Sequence, residues 1–195
     1  MSGRRGLMMI LLAGALWGLT EIFLGDLFYK FHVPFRSATL TALGITMLLV
    51  ARLLFDKPGT SLAAGLVAAG LRCLVPKLYI CHAVAIAVEA CAFDGAWTAL
   101  KAGERGTLRR IWLTNAVAVY SGFLCFGLVS LYHFGFGRWV EAGLGGVIRY
   151  SLRSGTVSLL LLVPLSVVAV VAARSLQGHL GHMRVGRLPS SDGRQ

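Results

Sequence analysis

Ionisable side chains inside long apolar runs are the residues of this chain with the chemistry to act. Glu21, Glu89 and Asp94 are three of its eight acids, and each is embedded among apolar residues, as are Arg72 and His82. A charge at the centre of a bilayer costs about 2.5–3.5 kcal/mol on insertion scales, so such residues face a cavity or a partner. His82 and Glu89 are seven residues apart, which puts them on one helix face two turns from each other. Trp17 and Glu21 are four apart, so an indole lies one turn below a carboxylate. Together Trp17, Glu21, Arg72, His82 and Glu89 predict a solute pocket with a cation, carboxylates, a titratable imidazole and an aromatic wall. The same residue types also fit a purely structural ion pair, Arg72 with Glu21 or Glu89, that ties helices together. Asp94 is expected to neutralise Lys101 or another base at its own end.

Other constellations point elsewhere. His82 and His133 are a conceivable axial pair for haem, and Cys81-His82 beside Cys73 a conceivable soft-metal set. Against the metal set stands the ordinary reading of thiols as small apolar packing groups. The four cysteines form no CxxC pair, and there is no phosphate-binding glycine loop, nucleophile elbow or HExxH. The expectation is binding without catalysis, with no cofactor and no metal. Small residues give a further pattern. Gly14 and Gly18 form a GxxxG, and Gly65 and Ala69 belong to a run of small-xxx-small pairs. Such faces serve close helix packing or the docking of a separate membrane subunit.

These residues must be positioned by membrane helices. The chain has 195 residues, 56% hydrophobic and only 14% charged, with a mean hydropathy of +0.74. Soluble domains carry about 25% charged residues, so a water-soluble globule is excluded. Six apolar runs approach the roughly 20 residues that a bilayer-spanning helix needs. They cover 6–24, 37–55, 60–75, 78–100, 111–132 and 155–173, the third being short and the sixth containing Pro164. The fold class expected is an all-α polytopic membrane protein, one domain over 1–176, with a mobile basic tail over 177–195. Between the fifth and sixth runs, Val140, Leu144, Val147, Ile148 and Leu152 recur at helical spacing. With Trp139 and Tyr150 as anchors, they predict an amphipathic helix lying in the interface. The net charge of +11 suits anionic lipid better than nucleic acid, because the bases sit between apolar runs. With the N-terminus inside, 12 Lys and Arg fall on the inner side and 7 on the outer. The positive-inside rule then places both termini in the cytoplasm.

In size, span number and outer-half polar cluster, the chain resembles the substrate-binding S components of energy-coupling-factor importers. The wording of Ala15-Leu16-Trp17-Gly18-Leu19-Thr20-Glu21 and of the stretch from His82 to Ala90 is also similar to S-component-like proteins. The resemblance implies capture of a small vitamin-like solute from outside and a membrane scaffold subunit with two ATPases as partners. It implies that Glu21, Arg72, His82 and Glu89 line the solute site. The family's docking face, an alanine-x-x-x-alanine in the first span, corresponds here to Gly14-x-x-x-Gly18. No histidine precedes His32, which disfavours nickel or cobalt as cargo. Two other classes stay open: a structural subunit of a larger membrane complex, and a haem- or redox-linked membrane protein.

Overall fold

The computed structural model describes residues 3–75, 80–102 and 108–185. They form six helices and no strand: α1 (Gly3–Lys30), α2 (Arg36–Leu54), α3 (Thr60–Cys73), α4 (Ile80–Ala99), α5 (Leu108–Tyr132) and α6 (Gly137–Val185). Five of them are long and apolar enough to cross a bilayer. The exception is α3, whose 14 residues span about 21 Å at 1.5 Å per residue, short of a hydrocarbon core of about 30 Å. The protein is thus a polytopic all-helical membrane protein.

The helices close a ring in the order α1, α3, α4, α5, α6, α2 and back to α1, and α2 also touches α3, α4 and α5. Lipid tails are as apolar as leucine, so burying hydrocarbon does not drive these helices together; close packing does. Small residues supply it. Gly14 lies on the Ala64 carbonyl and Gly18 on Ala68 and Leu71, so the α1 glycine pair is taken up by α3. Gly65 meets Ala90 of α4, and Gly44 leaves the space that the Trp17 indole fills. Ala69 is buried in the same seam. Around it Ile45, Leu48, Leu49, Phe93, Trp97, Val119 and Leu162 form the core. The outer faces carry exposed Met8, Leu12, Phe23, Leu160 and Val168, the side chains a bilayer covers.

Two features of the last third of the chain bear on the expectations for it. The stretch from Gly137 is broken at Gly143, which takes φ 60° and ψ −166°, a conformation open to glycine; a short helix precedes the break, and the residues after it run on into the sixth span. Trp139 and Val147 are buried rather than anchored at a surface, while Val140, Leu144, Ile148 and Leu152 form the exposed row. Trp139, Val147, Ser151 and Ser154 face the bundle, while Arg138, Glu141, Arg149 and Arg153 are exposed beside the apolar row. At the other end α6 continues to Val185. Residues 177–185, whose composition suggested a mobile tail, prolong the helix, since extending an existing helix avoids the cost of a new nucleus. Residues 186–195 lie outside the described residues.

Two buried hydrogen bonds tie α6 to its neighbours among the described residues: Asn115 of α5 donates from Nδ2 to Ser166 Oγ at 3.3 Å, and Ser158 donates from Oγ to the Ala38 carbonyl of α2 at 2.9 Å. Ser158→Ala is expected to lower stability by about 0.6–1 kcal/mol, the measured scale for such bonds in membranes and soluble proteins. Unfolding by SDS titration from detergent micelles reads this directly. An unchanged midpoint would mean that the bond contributes nothing net.

Candidate functional site

The ring is not filled throughout. A cavity of about 70 Å³ opens between α1, α2, α4, α5 and α6. It lies toward the end of the bundle that carries the α1–α2 and α5–α6 connections, because its lining includes Ser37 in the first turn of α2 and His82 in the first turn of α4. Glu21 reaches it from α1, Ser37 and Thr41 from α2, and His82 and Glu89 from α4. The helical spacing of His82 and Glu89 is what delivers both to one wall.

Glu89 is the innermost of these groups, only 4% exposed. Its Oε1 is buried and has no hydrogen-bond partner among the described residues. Gly122 on α5 makes room for this carboxylate: a Cβ there would stand 3.0 Å from Glu89 Oε2. A buried carboxylate oxygen without a donor forfeits its hydration for nothing in return, so the arrangement suits a donor arriving in the cavity.

Aromatic rings complete the wall. His82 lies 4.7 Å from Phe126, centre to centre. Phe123 meets Tyr150 edge-on at 5.7 Å, and Tyr150 meets Trp139 edge-on at 5.1 Å. Phe123, Phe126 and Tyr150 line the cavity themselves. No spacing in the sequence singles out these three, which come from two helices. The available signal was a Gly122/Phe126 pair four residues apart on α5, small and large on one face.

Of the five residues expected at the site, Glu21, His82 and Glu89 line the cavity. Trp17 does not. It is buried in the core, 1% exposed, and packed against Gly44. Its indole lies within side-chain reach of Glu21, yet its N–H meets no acceptor in hydrogen-bonding geometry. Arg72 also stays outside the lining. No nitrogen–oxygen contact within 4.0 Å joins it to Glu21 or Glu89 among the described residues, so the expected ion pair is corrected. It is instead a Coulombic neighbour of Glu21 from the α3 side. It stands in the last turn of α3, with its Nε buried.

A second polar cluster occupies the opposite end of the bundle. Arg52 is 1% exposed. Its guanidinium donates to Thr98 Oγ1 at 2.9 Å and to the Lys57 carbonyl. It lies 3.7 Å from Asp94 and 3.8 Å from Asp56. Trp97 donates from its indole to Asp56 at 2.8 Å. Asp94 accepts from the backbone N–H of Gly59 at 2.7 Å and of Ser61 at 3.0 Å. Asp94 therefore caps the start of α3 from across the fold, satisfying donors that a helix N-terminus leaves open. Of the partners expected for Asp94, Lys101 or another base at its own end, Arg52 is the one it meets, and Lys101 is exposed. The cluster has a structural role: it locks the α2–α3 turn onto α4.

The cysteines and His133 form no metal centre among the described residues. Cys81 Sγ lies 3.9 Å from His82 Nδ1, and exposed His133 stacks edge-on with Phe134. Among the described residues no three His, Cys, Asp or Glu side chains converge to hold a metal ion. Comparison with protein-family models, with curated proteins and with solved structures gives no match. The geometry of the cavity is therefore what speaks to function.

Proposed function

We propose that this protein captures a small solute in the cavity among α1, α2, α4, α5 and α6, as the substrate-binding component of an importer like the S components it resembles. The carrying observation is the buried, unpartnered Oε1 of Glu89 in a cavity with apolar and aromatic walls. A few convergent polar groups on apolar walls are what a solute site requires. The cavity lies toward the end with fewer bases, which the positive-inside rule assigns to the outside of a bacterial plasma membrane. On that reading the termini are cytoplasmic and the solute enters from without. The glycine face of α1 is occupied by α3, so a scaffold subunit with its ATPases would dock on another surface.

The test uses the full chain in lipid nanodiscs. Solute released by denaturation is identified by mass spectrometry for the wild type and for Glu89→Gln, Glu21→Gln and Leu128→Ala. Leu128 is half-buried on α5 and outside the cavity lining. The two glutamine variants are expected to insert and fold but to lose the bound solute. Leu128→Ala is expected to keep it. If no solute is found in any form, and the glutamine changes instead break association with other membrane subunits, the protein is an assembly component.

A further inference from the structure

We infer that the solute is a compact organic cation carrying N–H donors, a primary ammonium or an amidinium, held by Glu89 and seated against the aromatic wall. This rests on the solute-binding reading above. Charge comes first. Two carboxylates and one imidazole face the cavity, and no Lys or Arg lines it among the described residues. Arg72 is a Coulombic neighbour of Glu21 but does not line the cavity. Glu89 has no salt bridge among the described residues. An anionic solute would meet two acids of its own sign in the lining and no guanidinium. A cation completes the charge of Glu89.

Hydrogen bonding narrows the class. Glu89 Oε1 is an acceptor without a donor, and the residue is more than nine-tenths buried. Thr41 and Ser37 offer hydroxyl oxygens on the facing helix. Acceptors on two sides suit a group with several N–H bonds, which a quaternary ammonium lacks. The rings add a third condition. Phe123, Phe126 and Tyr150 give the cavity π faces, to which a desolvated cation is attracted. Size sets the last. At about 10–15 Å³ per water-sized group, a 70 Å³ cavity holds about five to seven such groups. That is a short alkylamine or guanidine, and too small for a whole vitamin in this conformation.

The experiment compares three probes of one shape: n-butylammonium, 1-butanol and butyrate. Binding to the full chain in nanodiscs is measured by calorimetry at neutral pH. n-Butylammonium is expected to bind about ten- to hundred-fold more tightly than 1-butanol, the margin of a charge-assisted over a neutral hydrogen bond. Butyrate is expected to bind least. Glu89→Gln should erase the preference for the amine, whereas Leu128→Ala should retain it. Equal affinity for amine and alcohol overturns the cationic assignment but leaves a solute pocket in place. A preference for butyrate overturns it and makes Arg72 the anchor. Binding of none of the three also overturns it, and the mass-spectrometric test of released solute then decides the broader reading on its own.

Discussion

Arg52→Met is expected to cost about 3 kcal/mol of stability, the lower end of what breaking one partner of a buried charged pair costs. The guanidinium is fully enclosed and joins four groups: the Thr98 hydroxyl, the Lys57 carbonyl, Asp94 and Asp56. Methionine fills similar volume, so the loss is one of charge and hydrogen bonds rather than packing. Asp94 would be stranded, though not entirely, since two backbone N–H groups still reach it. That residual satisfaction is why the lower end applies. Asp56 is nearly half exposed and gains little from the pair, because water screens it. SDS titration gives the global loss, and amide exchange across the start of α3 gives the local one. Asp94→Ala should weaken the same amides, and the double variant should cost less than the sum of the two singles, because each change strands the other's partner. Strict additivity, or a loss under about 0.5 kcal/mol as at an ordinary surface site, would mean that the turn holds without the cluster.

The Arg52 cluster also shows where sequence reading reaches its limit. Arg52 sits at the end of an apolar run and four residues before Asp56, which reads as a solvated base beside a helix-end acid. What buries it is Thr98 and Asp94, 46 and 42 residues along the chain. Local spacing cannot express that meeting. Asp94 was legible as a charge needing neutralisation, but its choice of Arg52 over Lys101 depends on α4 running beside the α2–α3 turn.

The helices themselves were legible, because a bilayer imposes length and apolarity on each span separately. Their order in the ring was not. For Glu21, His82 and Glu89, the cost of charge in lipid was a sufficient guide, since it forces such groups inward wherever the helices meet. Arg72 obeyed another rule. Near the end of a short helix, it comes close enough to Glu21 to act on it electrostatically but makes no direct contact, a distance that depends on how α3 sits against α1 and that spacing along the chain cannot give. Trp139 and Tyr150 misled for a physical reason as well. Their aromatic–amphipathic pattern is common to membrane-surface anchors and to a cavity wall, and only the bend at Gly143 decides between them.

Trp17→Ala is expected to cost about 3–5 kcal/mol, the scale for deleting a large aromatic side chain from a packed core. Trp17 is 1% exposed and lies where α1, α2 and α3 converge, with Gly44 as its seat and Gly65 close by. The glycines cannot collapse to fill the space, since they carry no side chain to swing in. The void would stay, and helices that hold together by packing alone would feel it in full. The prediction separates two roles that the spacing of Trp17 and Glu21 leaves open. If the indole is core, Trp17→Ala lowers the unfolding midpoint sharply, and Trp17→Phe recovers much of it by restoring a ring. The protein that remains folded then keeps its affinity for solute, since Trp17 lies outside the cavity lining. If the indole is instead a wall of the site, Trp17→Ala folds normally and loses the solute. On the solute-binding proposal Glu89→Gln is the mirror case: it removes a charge but little volume, so binding is expected to be lost while the unfolding midpoint moves little. Measuring midpoint and affinity on both variants places each residue on one side of that divide. A Trp17→Ala protein of wild-type stability would mean that α1 does not pack on α2 and α3 through this ring.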